Sequence, residues 1–193
     1  MMLTDEELNF IANIVTKEST SDNSPSLKVK PSLPNTLKSI LNNATLTLLA
    51  ELGDYQLWFP LELKVDHLGQ FTPILAAPEV IEKQGVERSW RFSQTHIEND
   101  EFIIQSLSST GIVLKPKQRQ FTVNTPHSIS FTLPHRKLVR LLIQPIRSTP
   151  SGIAAKIISI KSGRRSLRKF LFDQHKLQNS SLYAQSEHTF SAF

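Results

Sequence analysis

The sequence predicts a mainly β protein: an antiparallel β-barrel followed by a C-terminal helix, with a small β-rich unit and an N-terminal amphipathic helix ahead of it. Three observations carry this expectation. From Thr45 apolar and polar residues alternate with a period of two, the mark of half-buried strands. From Arg88 to Ile160 short strand-like runs recur between turns, the spacing of a barrel or sandwich. After Gly163 the apolar period lengthens, with Leu167, Phe170 and Leu171 on one side.

The elements follow in order. Over 3–18, Thr4 and Glu7 form a capping box, Leu3 and Leu8 a hydrophobic staple, and Leu8, Ile11, Ile14 and Val15 one apolar stripe. Residues 19–34 are rich in Ser and Pro and read as a linker, with a short helix starting near Pro34. These make up 1–44. The β-rich unit, 45–87, holds alternating runs on both sides of Gly53-Asp54. Pro60 argues for an edge strand or a bulge. Pro78 is suited to open a short helical segment, PEVIEK. The barrel domain, 88–177, contains candidate strands at 88–92, 101–107, 111–115, 128–133, 137–146 and 152–160, then the final helix. Residues 178–193 are polar and are expected to be a flexible tail.

Composition narrows the function. With 193 residues, of which 39% are hydrophobic, the chain can bury a core. No apolar run has the length of a transmembrane span, and the N-terminus lacks the order of a signal peptide, so a cytoplasmic protein is expected. Absence of cysteine removes disulfides and thiolate metal sites. Charge is unevenly placed: 1–80 carries 5 Lys/Arg against 10 Asp/Glu, and 81–193 carries 17 against 7. From Phe102 to Phe172 there are 13 basic residues and no acidic one. Such a field is either a solvated surface or a landing place for a polyanion.

No HExxH, G-x-S-x-G or P-loop pattern is present, and the barrel body lacks carboxylates for acid/base work or a Mg²⁺ cage. No enzyme, metal or resident cofactor is expected. The strongest candidate site is 88–111. Arg88 and Arg91 offer planar forks of donors that fit a phosphate or the O6/N7 edge of guanine. The 106–111 turn offers hydroxyls, backbone N–H groups and a glycine that permits close approach. Trp90 is either a stacking surface or a core residue. The basic face of the final helix, Arg164, Arg165, Arg168 and Lys169, is either solvated or within reach of a ligand phosphate.

The order from Arg88 to His175 resembles the PilZ domain, a bacterial six-stranded β-barrel that binds cyclic di-GMP. That family carries an RxxxR arginine motif, then a strand ending in [D/N]xSxxG, then hairpins and a C-terminal helix. Here Arg88-Ser89-Trp90-Arg91 stands one residue short of the first motif. In the second, Ser106 replaces the Asp or Asn, while Ser108 and Gly111 match. The resemblance implies a PilZ-like six-stranded antiparallel barrel and a signalling receptor without catalysis. It also implies a cyclic di-GMP site in which Arg88 and Arg91 grip phosphates and guanine edges and Ser106, Ser108 and Gly111 line the base pocket. The departures at both motifs leave a second reading, a degenerate PilZ-type adaptor that binds a partner protein through its N-terminal helix without nucleotide. A nucleic-acid-binding barrel is a third and weaker fit, because basic residues and aromatic platforms are poorly interleaved.

Overall fold

The computed structural model describes residues 46–65, 71–150 and 152–189. The expected helix over 3–18, the linker, the short helix after Pro34 and the turn at 67–70 lie outside the described residues.

Two antiparallel sheets build the described residues. The first contains β1 (Leu46–Leu52), β2 (Tyr55–Val65), β3 (Phe71–Leu75), β4 (Glu79–Glu82) and β5 (Arg88–Ser89). β2 is its spine: β1 pairs along one side, while β4 and β3 share the other. Pro60 therefore lies in a central strand, not at an edge. Its missing N–H costs nothing there. On that side β3 ends opposite Leu61 and β4 begins opposite Trp58, so Pro60 faces the gap between partners. Its carbonyl accepts Ala76 N–H at 3.0 Å. The segment expected as a helix after Pro78 is strand β4 instead. Val80 and Ile81 favour a pleated surface, and pairing with Leu57 and Gln56 overrides the weak helical signal.

The second sheet contains β6 (Ile97–Glu98), β7 (Phe102–Leu107), β8 (Gly111–Pro116), β9 (His127–Thr132), β10 (Leu138–Thr149) and β11 (Gly152–Ser162), in the order β6-β7-β8-β11-β10-β9. It curls into a half-barrel. Asn99 Nδ2–H donates to the Ser130 carbonyl at 3.1 Å, which draws the β6 and β9 edges together. The inward residues of alternating strands fill the concave side: Phe102, Ile104, Leu114, Ile129, Val139, Leu141 and Ile143 are fully or almost fully buried. The expected strand over 88–92 divides between the sheets. Ser89 pairs with Ile81 of the first, and Trp90 N–H bonds Val80 O at 2.8 Å. Phe92 exchanges two backbone hydrogen bonds with Leu107 of the second, each 2.9 Å. The chain crosses at Arg91. β6 takes the place in the half-barrel that the sequence assigned to 88–92.

Helix α1 (Arg164–Gln178) lies between the two sheets. Leu167, Phe170 and Leu171 are buried as their spacing predicts, and Phe172 and His175 join them. Phe170 meets Phe92 edge-on at 5.9 Å, and Phe172 meets Phe59 of the first sheet at 6.3 Å. Arg165 clasps both Glu62 carboxylate oxygens at 2.6 and 2.7 Å. Gly163 sets the entry of α1 with φ of 80°, and a Cβ there would lie 2.5 Å from Leu138 O. Gly163→Ala is therefore expected to lower the urea unfolding free energy by about 2–3 kcal/mol, from left-handed strain plus a backbone clash.

The expected flexible tail contains a second helix, α2 (Ser180–Thr189). Its anchor is Tyr183, which is buried and lies 2.9 Å from His175 Nδ1. His175 is fully buried among Tyr55, Trp90 and Tyr183, all packed edge-on with centroids at 4.4, 5.0 and 5.8 Å. It thus touches the first sheet, the crossover and the last helix.

Candidate functional site

The site is built where the crossover meets the β7–β8 turn. Ladder register shifts between Ile104 and Ser106, so β7 is bulged just before Ser106. A bulge re-aims side chains, and Ser106 receives Arg91 Nη1–H at 2.9 Å. Gly111 lies under the same guanidinium: a Cβ there would be 2.6 Å from Arg91 Nη2. Arg91, Ser106 and Gly111 are thus brought together.

Burial pulls the Arg91 pKa down, and the nearby Arg88 charge adds to this. Arg91 has no carboxylate partner among the described residues. Arg91 is exposed as a residue, with its guanidinium seated on the turn and another cation nearby, an arrangement that a phosphate would relieve.

Arg88 is held differently. Its Nε–H donates to Glu82 at 2.8 Å, and this bond with Glu82's charge raises the Arg88 pKa. Arg88 is 69% exposed, so the ion pair is open to water and to exchange. Glu82→Gln is expected to free Arg88 and raise affinity for an anionic ligand at this site about two- to fivefold, read by calorimetry.

Ser108 is buried and serves the turn. Its hydroxyl accepts Gly111 N–H at 2.9 Å and donates to Gly111 O at 3.1 Å. It therefore shapes the loop that carries Gly111, and its hydroxyl is spent on the backbone. Ser109 points to the first sheet. The hydroxyls of Ser89 and Ser109, 2.8 Å apart, both donate to Glu79 Oε1. Trp90 is a core residue, stacked at 6.2 Å on Phe92 and edge-on to His175, so it offers no surface for a base.

Two residues that sequence reasoning passed over, Trp58 and Glu79, lie around this turn with Arg168 of the basic helix face. Two adjoining cavities of about 190 and 770 Å³ share Glu79, Thr110 and Arg168 in their walls. The larger also includes Trp58 and Arg88, and the smaller Arg164. Trp58 lies at an outward position of an ordinary alternating strand, and only the sheet-to-helix packing brings Arg168 and Thr110 beside it.

Among the described residues, the basic surplus of 102–172 is partly answered by acids outside that stretch. Four of the 13 cations pair with acids: Lys117 with Glu98, Arg119 with Glu101, Arg165 with Glu62 and Lys169 with Asp173. Among the described residues, no helix is long and apolar enough to cross a membrane. Comparison with protein-family models, curated proteins and solved structures returns no match.

Proposed function

We propose that the chain is a non-enzymatic receptor of the PilZ type whose ligand is cyclic di-GMP. Arg91 binds a phosphate or the O6/N7 edge of a guanine. Ser106 and Gly111 form the surface beneath it, Ser108 holds the turn in shape, and Arg88 joins after exchanging Glu82 for the ligand. The observation that carries this reading is the seating of Arg91: a guanidinium with no carboxylate partner among the described residues, resting on the two small residues of the turn. A dinucleotide with two phosphates and two guanines suits a pair of arginine forks at one turn.

The proposed consequence of binding lies at the crossover. Arg91 separates Trp90, bonded to the first sheet, from Phe92, bonded to the second. A ligand that grips Arg91 therefore acts on the one strand joining the two sheets, and a change in their relation is the output a protein partner would read.

Titration calorimetry with cyclic di-GMP is the test. Saturable heat with a Kd below about 100 µM, or about −5.5 kcal/mol, is expected. Absence of heat at that concentration transfers the assignment to the adaptor that binds a protein without nucleotide.

A further inference from the structure

We infer that the cleft between the first sheet, the 108–111 turn and α1 is a guanine-nucleotide site in its own right, with Trp58 as stacking platform, Glu79 as reader of the base edge and Arg168 as phosphate anchor. It shares the guanine chemistry of the receptor reading, and Arg88 lies in its wall, but its three contacts Trp58, Glu79 and Arg168 are not residues on which that reading rests.

Trp58 is the one aromatic among the exposed large hydrophobics of the described residues, with 41% of its surface open. Its indole N–H donates to Gln56 Oε1 at 3.2 Å, which fixes the ring on the strand. A large exposed ring held in one orientation in the wall of a cavity of about 770 Å³ is a surface for a planar ligand. Arg168 shares that wall and has no carboxylate or hydrogen-bond partner among the described residues. An unpaired guanidinium near an aromatic ring suits a ligand that is flat at one end and anionic at the other.

Glu79 selects the base. It lies in both cavities, and its Oε1 accepts the Ser89 and Ser109 hydroxyls, which hold the carboxylate in place. Oε2 has no hydrogen-bond partner among the described residues. Guanine presents two adjacent donors, N1–H and N2–H, on its Watson–Crick edge, which match a carboxylate. Adenine presents an acceptor at N1, which a carboxylate repels. A bare phosphate would be repelled by Glu79 as well, so the site calls for base and phosphate together.

The test is binding of GMP, AMP and inorganic phosphate to the full chain, followed by tryptophan fluorescence and calorimetry. Trp90 is buried, so stacking in the cleft quenches Trp58 selectively. Saturable quenching by GMP is expected, with AMP at least about tenfold weaker and phosphate without effect. Trp58→Ala and Arg168→Ala, at positions open to the cleft, are each expected to weaken GMP about tenfold. Glu79→Gln keeps an acceptor for the two serines and is expected to erase the preference for GMP over AMP. Equal binding of GMP and AMP, no saturation by about 5 mM, or GMP binding unchanged in Trp58→Ala and Arg168→Ala would each overturn the inference. Cyclic di-GMP run in parallel separates the two proposals. Binding lost with Arg91→Ala but indifferent to Trp58→Ala, with GMP inert, leaves the receptor reading without this cleft. GMP binding that depends on Trp58, with cyclic di-GMP silent in every variant, leaves this cleft without the receptor reading.

Discussion

Arg91→Ala is expected to lower cyclic di-GMP affinity at the proposed site about thirtyfold or more, about 2 kcal/mol, while the thermal midpoint stays within a few degrees. The two halves of this expectation have one cause. Arg91 is exposed near Arg88, burial of part of its guanidinium holds its pKa down, and among the described residues it has only the Ser106 hydroxyl as a hydrogen-bond partner. Its removal forfeits one hydrogen bond but also ends the cost of holding a cation there, so stability changes little. Binding loses a charged fork with no substitute at that position. Arg91→Lys keeps the charge but not the fork and is expected to recover only part of the affinity. Gly111→Ala is the complementary probe. The new methyl would clash with the far end of the Arg91 side chain and meet the Ala155 carbonyl at an ordinary contact of 3.5 Å, so the fold tolerates it while the guanidinium is displaced. Calorimetry and thermal melts on the same three variants check both halves. A large fall in midpoint for Arg91→Ala would show that the residue serves the fold instead.

The second large effect is on acid stability. Burial pushes the His175 pKa from 6.5 down to about 4, and its Nε2 has no hydrogen-bond partner among the described residues. The folded state therefore binds this proton less readily than the unfolded chain. The neutral ring contributes its full stability above pH about 6.5, and that contribution drains away as pH falls from there toward about 4. Between pH 7.5 and 5 the expected loss is about 2 kcal/mol in urea unfolding free energy. Most of this window lies above the ordinary range of carboxylates, so the histidine dominates it. His175→Phe keeps an aromatic ring among Tyr55, Trp90 and Tyr183 and should flatten the slope across that window. An equal slope in the variant would assign the acid sensitivity to other groups.

The sequence disclosed the parts that depend on local periodicity. Strands β7 to β11, the start of α1 at Gly163 and its buried stripe of Leu167, Phe170 and Leu171 all follow from alternation, turn residues and helical spacing. It misplaced the elements whose state is set by distant partners. Glu79–Glu82 has too few residues to declare itself, and β2 makes it a strand. β6 has two residues and exists because Ile97 and Glu98 meet Ile104 and Ile103. α2 is polar along most of its length and is held by Tyr183 on His175, a contact that no spacing rule announces.

The site divides in the same way. The proximity of Arg91 to Ser106 and Gly111 was expected from residue chemistry and the family resemblance, and these residues do meet. The engagement of Arg88 by Glu82 and the use of the Ser108 hydroxyl within its own turn depend on backbone geometry and cross-strand register. Trp58, Glu79 and Arg168 come from β2, β4 and α1, and only tertiary packing puts them around one cleft.

A two-dimensional NMR titration with cyclic di-GMP tests the central claim most directly, because it reads binding and location together. Saturable shifts are expected for the Arg91 Nε–H and for the Ser106 and Gly111 amides, with the Lys117–Glu98 and Arg119–Glu101 pairs at the far end of β8 undisturbed. Those three resonances unmoved at about 1 mM ligand, or shifts confined to another surface, would contradict it.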